Sequence, residues 1–555
     1  MKLVKRVVTL SLLSSVVLLG VTPNFNSGNI EKQIQAPKDI PTAQKTSVEL
    51  KGLKSSSAIK DFDESKKAFI KDFAFSGNTK ISSQELSELL KDYKAKELSF
   101  KQIQEVLSLV NKYYRTKGYF VSRAYLVSQD LEKNYNVLKI SILEGSYGEF
   151  KVENSSLVND SVIQNILDSV KDKDIIDTNS IQRVTNLIND RAGSVVTKAA
   201  ISPGQKVGTS DFDIGVEATK RVNGYIVADN YGSRYTGYNR LQSLLNINSP
   251  FNIGDKISIS GLVSNGADLK NGKIAYELPL NSYGLKADFG YSRTNYNLVE
   301  EYESLDAKGN SNIYEVGLSY PLLRTTNENL YLKGKYYYKD LNDYMSGDKY
   351  EDKSISSFVT SLDYDKNYSI GNLPARIFAN LNLTSGHLSS KDSNPNNGNY
   401  NKIDTYIAND IYFSDIFSLN SMLTAQKVLG HKNLDGNEDL SLGGVNSVRV
   451  YSYSEQSGEN GYVLNLEFLT KLPNISSYSH KVGLFYDIGD VYAEKNQDTT
   501  FERKRLKDIG LGYYANYEDF FARVQMAWNA NSDEIQSEYT NHKNSKLLLQ
   551  AGWVF

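Results

Sequence analysis

Hydrophobic and polar positions follow two different periods along this chain, and the change falls near residue 221. Beyond it, alternation of period two dominates. Leu330, Leu332, Gly334, Tyr336 and Tyr338 make one face of a run whose intervening residues are Tyr331, Lys333, Lys335, Tyr337 and Lys339. Phe520, Ala522, Val524, Met526 and Trp528 repeat the pattern, with Arg523 and Gln525 between them. Such alternation predicts strands with one apolar and one wet face. Sixteen such runs lie from Asn223–Gly232 to Ser545–Phe555. Most are about ten residues or longer, against ~5–6 for a globular strand. Their connections are very short at Asn281–Tyr283 and Glu518–Asp519 and long at Gly430–Gly461. Short turns at one end and long loops at the other predict a transmembrane β-barrel of 16 antiparallel strands. Closure leaves no unpaired edge for lipid to face.

Before residue 221 the period is mixed. Ala68–Phe75 reads as a strand ending in the turn Ser76-Gly77-Asn78. Ser82 and Glu85 form a capping box ahead of Leu86, Leu89 and Leu90. Ser99 and Gln102 open a second helix with Ile103, Val106, Leu107, Val110, Tyr113 and Tyr114 on one face, and Gly118 stops it. Strands Phe120–Leu126 and Val137–Leu143 complete a β-α-α-β-β order. A second copy follows: strand Glu149–Glu153, helices Asp160–Val170 and Ser180–Asp190, strands Ser194–Ile201 and Asp211–Ala218. Repeated modules of this kind are usually binding surfaces rather than catalytic domains. Upstream, Met1-Lys2-Leu3-Val4-Lys5-Arg6 and the apolar run to Val21 describe a signal peptide over 1–23, with an uncleaved anchor as the alternative. Residues 24–67 read as a linker broken by Pro37 and Pro41, with a short helix signal near Asn29–Gln35. The domain limits are set at 68–146, 147–208 and 209–555, the last with a long inward loop over 430–461.

Composition narrows the function. A formal net charge of -2 implies no general attraction to nucleic acid, and none is expected as a partner. The absence of Cys excludes disulfides and Cys-ligated metal, and four His make a His-built metal site unfavourable, so no cofactor is expected. Tyr is in excess, 39 against 21 Phe and 2 Trp. Its apolar ring and polar tip suit a membrane interface. Mean hydropathy is -0.44, too polar for a helical membrane protein. No nucleophile–base constellation and no G-x-x-x-x-G-K-[ST] motif occurs, so neither an enzyme nor an ATP-driven pump is predicted.

The stretch Gly443-Gly444-Val445-Asn446-Ser447-Val448-Arg449-Val450-Tyr451 departs from ordinary loop composition. Further on, Phe485, Asp487 and Gly489 share one strand parity, while Leu484, Tyr486 and Ile488 share the other. The apolar set needs lipid, so Asp487 faces the lumen by periodicity alone.

Two β-α-α-β-β repeats before a sixteen-stranded barrel resemble a two-partner secretion transporter of the haemolysin secretion/activation family. The repeats resemble POTRA domains. The first does so through Tyr114-Arg115-Thr116-Lys117-Gly118-Tyr119, Gln129 and Ile140-Ser141-Ile142-Leu143-Glu144-Gly145, the second through Ser202-Pro203-Gly204 and Gly208. Asp229-Asn230-Tyr231-Gly232 and Asn248-Ser249-Pro250 also look like the family. The resemblance implies a pore loop Val-Arg-Gly-Tyr whose Arg pairs with a strand acid. Val448, Arg449 and Tyr451 match, as do Phe485, Asp487 and Gly489 on the strand; Val450 stands where Gly is usual. Val resists φ > 0, so a more extended loop tip is expected.

What the resemblance implies is an outer-membrane pore, its repeats in the periplasm, exporting a large unfolded partner of the haemolysin or adhesin class. Tyr119, Gln129, Glu144 and Gly145 become the candidates for substrate capture in the first repeat. The implied contacts are the cargo, outer-membrane lipid, and the barrel assembly machinery through the C-terminal Phe555. A barrel assembly insertase and a passive porin are the alternatives; two repeats are few for the first and needless for the second.

Overall fold

A computed structural model of the protein describes residues 26–34 and 66–555 apart from 267, 392–393, 454, 496–502, 504, 533–534 and 536–543. The segment read as a signal peptide lies outside the described residues.

The first repeat forms where its caps place it. Ser82 accepts the Glu85 amide at the start of helix Ser83–Leu89. Ser99 and Gln102 form the reciprocal capping box of helix Phe100–Thr116. Gly118 takes φ +92 just past its end, a backbone that glycine tolerates best. Strands Asp72–Ser76, Val137–Leu143 and Arg123–Leu126 make a three-stranded sheet in that order. Val106, Val110, Ile140 and Leu86 bury their side chains between sheet and helices. The single strand expected at Ala68–Phe75 is two: Lys67–Ile70 leaves the sheet to pair with Lys96–Ser99, a strand the hydrophobic pattern did not reveal.

The second repeat is built likewise. Helices Asp160–Asp168 and Thr178–Asn189 pack on the sheet Ser146–Ser155, Thr209–Glu217, Val195–Pro203. Thr209–Glu217 is the central strand, so the limit expected at 208 cuts through this unit. The physical boundary lies between Glu217 and Val222, where the barrel begins.

The remaining sixteen long strands close into one antiparallel barrel, each paired with its neighbour in sequence and Ser545–Val554 paired back to Val222–Asp229. That closing seam runs only from Gln550↔Asp229 to Val554↔Tyr225. The Phe555 main chain extends it by exchanging hydrogen bonds with Gly224 at 3.0 and 3.1 Å. Outward positions such as Phe289, Val316, Leu332, Phe358, Leu484 and Leu511 leave large apolar side chains exposed. Inward positions carry ion pairs, among them Lys333–Asp363 at 2.5 Å and Lys335–Asp288 at 3.2 Å. A barrel wall that is greasy outside and charged inside fits a bilayer around a wet lumen. No described helix is long and apolar enough to cross a membrane; the strands do the crossing.

The short-turn end of the barrel rests on the second repeat. The Ala192 amide donates to Gly254 and the Asn159 amide to Asn252, at 3.1 and 2.8 Å. Arg324, on the strand Lys308–Arg324, meets Asp190 through two 2.8 Å hydrogen bonds.

The short helix expected near Asn29–Gln35 forms over nearly that stretch. Ser27–Gln33 is a short helix seated in the lumen toward the long-loop end. Ser27 donates its amide and hydroxyl to Asp343, at 2.9 and 3.0 Å. Ile30 is fully buried among Tyr235, Leu262 and Tyr296. Arg240 reaches the Gln33 carbonyl at 2.7 Å while its guanidinium forks onto Asp229.

Candidate functional site

The connection between strands Phe417–Leu429 and Asn460–Lys471 folds back into the barrel instead of projecting outward. Inward lysines hold its descent: Lys339 and Lys402 both meet Glu438, at 2.7 and 2.9 Å, and Lys353 meets Asp435 at 3.0 Å. A small hairpin, Leu440–Ser441 with Ser457–Gly458, narrows the loop to a tip.

The tip is compact. The Ser447 amide bonds the Gly444 carbonyl, and the Tyr451 amide bonds the Val448 carbonyl, so Val448-Arg449-Val450-Tyr451 is a turn. Gly444 takes φ +108, and Val450 is absent from the positive-φ residues. The extended tip expected from Val450 is therefore corrected. This turn needs no left-handed residue at its third position, and Val is compatible with it. Val450 is instead wholly buried against Leu442, Val463 and Phe485.

Arg449 lies where the parity argument placed its partner. It is 3% exposed and Asp487 0%. Arg449 Nε donates to Asp487 Oδ2 at 2.9 Å and Nη2 to Oδ1 at 3.3 Å, a forked contact. Nη1 donates to Glu467 at 3.1 Å. The guanidinium carbon lies 3.7 Å from the Phe485 ring centroid, so the cation is covered by an aromatic face as well as paired. Gly489 leaves room on the same wall: a Cβ there would stand 2.8 Å from Leu442 of the loop.

The pair belongs to a longer device. Asn465, Asp487, Asp508 and Asn529 are directly opposite one another on four successive strands, forming one lumen-facing row. Loop residues Ser447, Arg449, Val450 and Tyr451 engage that row in order. Asn465 donates to the Ser447 carbonyl at 2.6 Å, Arg449 meets Asp487, the Val450 amide donates to Asp508 at 2.7 Å, and the Tyr451 hydroxyl donates to Asn529 at 2.7 Å. Asn465 also donates to Asp487 at 2.8 Å. Behind it, Glu467 accepts from the Tyr514 hydroxyl, which Gln525 supports at 2.8 Å. Asn465, Glu467, Asp508, Asn529 and Tyr514 were not singled out in the sequence. Each has lumen parity, but so do dozens of polar residues, and only cross-strand register selects these. Beneath the tip lies a cavity of about 430 Å³ lined by Arg449, Glu467, Arg240, Gln242 and Gln525.

The four candidates in the first repeat do not gather into an open surface. Glu144 is buried, accepting the Lys80 amide at 2.8 Å and the Tyr114 hydroxyl at 3.0 Å. Burial pushes the Tyr114 hydroxyl well above its usual range. Gly145 takes φ +77, with a Cβ there only 2.7 Å from Val121. Gln129 pairs both ends of its amide with the Lys139 backbone at 2.8 Å, standing in for a missing strand partner. Tyr119 packs edge-on to Tyr114 at 6.1 Å. The polar side chains of Glu144 and Gln129 are thus engaged within their own fold, and the Tyr119 ring packs within it.

A membrane barrel stoppered by its own loop and helix, with paired α/β modules at its short-turn end, is the architecture of a polypeptide-translocating pore. Residues 208–513 match the family model described as haemolysin secretion/activation protein ShlB/FhaC/HecB, and residues 68–145 match the ShlB-type POTRA domain. The chain belongs to the ShlB/FhaC/HecB haemolysin secretion/activation family, whose members are two-partner secretion transporters of the outer membrane and not enzymes. It is 26% identical over 449 residues to the heme/hemopexin transporter protein HuxB of Haemophilus influenzae strain 86-028NP, covering 78% of each chain. It is 25% identical over 419 residues to the outer membrane transporter CdiB of Escherichia coli strain 536, covering 72% of this chain and 69% of that one. The solved structure of CdiB from Escherichia coli shares the fold at TM-score 0.75 and 20% identity, covering 90% and 92% of the two chains. CdiB from Acinetobacter baumannii does so at TM-score 0.66 and 17% identity, covering 95% and 96%.

Proposed function

We propose that this protein exports one large, unfolded partner across the outer membrane, and that the loop carrying Arg449 is the gate. The observation that carries the reading is the latch row: Ser447 to Tyr451 are held in the lumen by polar wall residues rather than by a covalent or wholly apolar plug. Such contacts can be exchanged for those of a passing chain. Each costs little net energy to replace but much to leave unmade. The family's description as haemolysin secretion/activation proteins and the heme/hemopexin transporter among the relatives support cargo of that general class.

The repeats hang in the periplasm and take up the cargo there, through sheet edges rather than through Tyr119, Gln129, Glu144 or Gly145. Strands Arg123–Leu126 and Val195–Pro203 are edge strands of their sheets. An extended chain adds to such an edge by main-chain hydrogen bonding, with little demand on its sequence. From there it reaches the charged mouth between second repeat and barrel, a cavity of about 500 Å³ that includes Asp190, Arg191, Lys286 and Lys333. Export then displaces the Arg449 loop and the helix Ser27–Gln33. Folding of the cargo outside supplies the drive. Phe555, at the closing seam, is where the assembly machinery reads the barrel, and outer-membrane lipid covers the wall.

The test is deletion of this protein in its host, with assay of the secreted product of the adjacent gene in the medium. Export is expected to fail and to return with the wild-type chain. Unchanged export overturns the reading.

A further inference from the structure

Above the apolar band, the outward face of the barrel is unevenly charged. On one flank, Arg293, Asn312, Asp340 and Ser354 form an outward cross-strand row with no net charge. The opposite flank differs. Going up the strand Arg505–Tyr517, the outward residues are Tyr517, Tyr513, Leu511 and Ile509, then Lys507 and Arg505, with Arg503 just beyond. Ile509 and Leu511 are exposed apolar residues; Lys507 and Arg505 follow at once on the same parity. Lys427 occupies the outward face of the strand Phe417–Leu429 at the same end of the barrel.

Three of these cations, Arg503, Arg505 and Lys427, converge on one spot. Arg503 lies 5.0 Å and Lys427 5.6 Å from the Tyr492 ring centroid. Arg503 forks onto Asp490 at 2.9 and 3.0 Å, and Arg505 shares that carboxylate at 3.2 Å. Lys427 meets Glu494 at 2.8 Å, and His431 lies 3.4 Å from the same carboxylate. Lys507 has no carboxylate partner among the described residues. Among the described residues, four cations thus face two carboxylates. Asp490 fixes the two arginine heads against the wall but offsets only one of their two charges, and more than half of each arginine side chain stays accessible. Guanidinium groups present several donors in a planar fork that suits phosphate oxygens, and the lysines add point charge.

We propose that this patch binds the phosphate groups of the phosphorylated glycolipid of the outer leaflet, lipid A. Its height fits: cations directly above an apolar band meet lipid at the head-group level, where each basic residue adds to attraction for anionic lipid. Its place on the wall gives the binding a consequence. The strands Tyr478–Tyr492 and Arg505–Tyr517 that carry the patch outside carry Asp487 and Asp508 inside. A lipid clamped across them braces the wall to which the loop is latched. The proposal rests on the orientation given above, with the long loops outward. Its test is a binding measurement on purified chain, which needs no export and so fails or succeeds independently of transport.

The full-length protein in detergent is titrated with diphosphoryl lipid A and with the same lipid stripped of both phosphates, and bound lipid is read by native mass spectrometry. The intact lipid is expected to bind about tenfold tighter or more. Lys427→Gln, Arg503→Gln, Arg505→Gln and Lys507→Gln together should remove that preference while the barrel keeps its heat-resistant migration on gels. Equal affinity of the two lipids for the wild type, or a fourfold variant that keeps the preference, overturns the proposal. Should the fourfold variant fail to close its barrel, Lys507→Glu decides alone, since it breaks no ion pair among the described residues: a severalfold loss supports the site, and unchanged affinity overturns it.

Discussion

Asp487 and Asp508 stand directly opposite each other on neighbouring strands, both buried and both facing the lumen, and the Arg449 guanidinium pairs with Asp487 alone of the two. Arg449 is spent on Asp487 and Glu467. Asp508 receives the Val450 amide on one oxygen, while its other oxygen meets no donor. Like charges directly opposite on a sheet work against the pairing. Asp508→Asn keeps a carbonyl oxygen for the Val450 amide and removes the repulsion. It should strengthen loop retention by about 0.2–1 kcal/mol. In planar bilayers the variant should open less often than the wild type. More frequent opening would show that the second charge is needed to hold the loop.

Arg449 is the residue whose loss should cost most. Removing one partner of a buried pair leaves the other uncompensated, at about 3–5 kcal/mol. Arg449→Ala is expected to raise channel conductance and impair export while the barrel still assembles with heat-resistant migration. Arg449→Lys should fall between the two, because an ammonium cannot fork onto Asp487 while also donating to Glu467. Wild-type secretion from Arg449→Ala would remove the gate role.

The barrel was readable in the sequence because period-two alternation is local: Leu332 and Lys333 reveal their faces without reference to any other strand. The Arg449–Asp487 pairing was half readable. Parity aimed Asp487 inward, but its meeting with Arg449 came from the family resemblance. Glu467, Asp508 and Asn529 were not readable, since they act through register between strands and nothing in one strand marks which residue faces which. The extra strand Lys96–Ser99 hid for a related reason, its burial being set by Lys67–Ile70 far away in sequence. Glu144 was legible in a different way. It entered through the family resemblance, which carries no information on its partners, and in the structure its carboxylate accepts from Lys80, Thr79 and Tyr114.

Val450 gives a test that runs against the family pattern. Restoring the usual residue, Val450→Gly, should weaken the latch instead of improving it. The turn has no left-handed residue there for glycine to relieve, and a buried side chain is lost. Burying a valine contributes about 1.5–3 kcal/mol, and glycine adds backbone freedom worth about 0.5–1 kcal/mol. Faster cleavage of the loop by added protease, or a higher open probability, is the expected outcome. A tighter loop in Val450→Gly would mean that the turn relaxes to a form that valine excludes.

The helix Ser27–Gln33 offers the last test, because its hold on the lumen is polar at both ends and between them, where Glu31 accepts from Thr294 and Ser311 and Lys32 donates to the Gly436 carbonyl. At one end Ser27 spends its amide and hydroxyl on Asp343. At the other, Arg240 bridges Asp229 and the Gln33 carbonyl, and the Gln33 side chain accepts from Thr236 at 2.9 Å. Between them, Ile30 supplies the buried apolar contact. A helix of two turns has little stability of its own, so these contacts decide whether it stays. Asp343→Ala should free the first end without touching a barrel ion pair. Ile30→Asp should expel the helix outright, since an isolated carboxylate would be buried among Tyr235, Leu262 and Tyr296. Both variants are expected to raise conductance and to expose residues 26–34 to a protease, Ile30→Asp more strongly. If Ile30→Asp leaves conductance at the wild-type level, the loop alone closes the pore, and the helix is a passenger in the lumen.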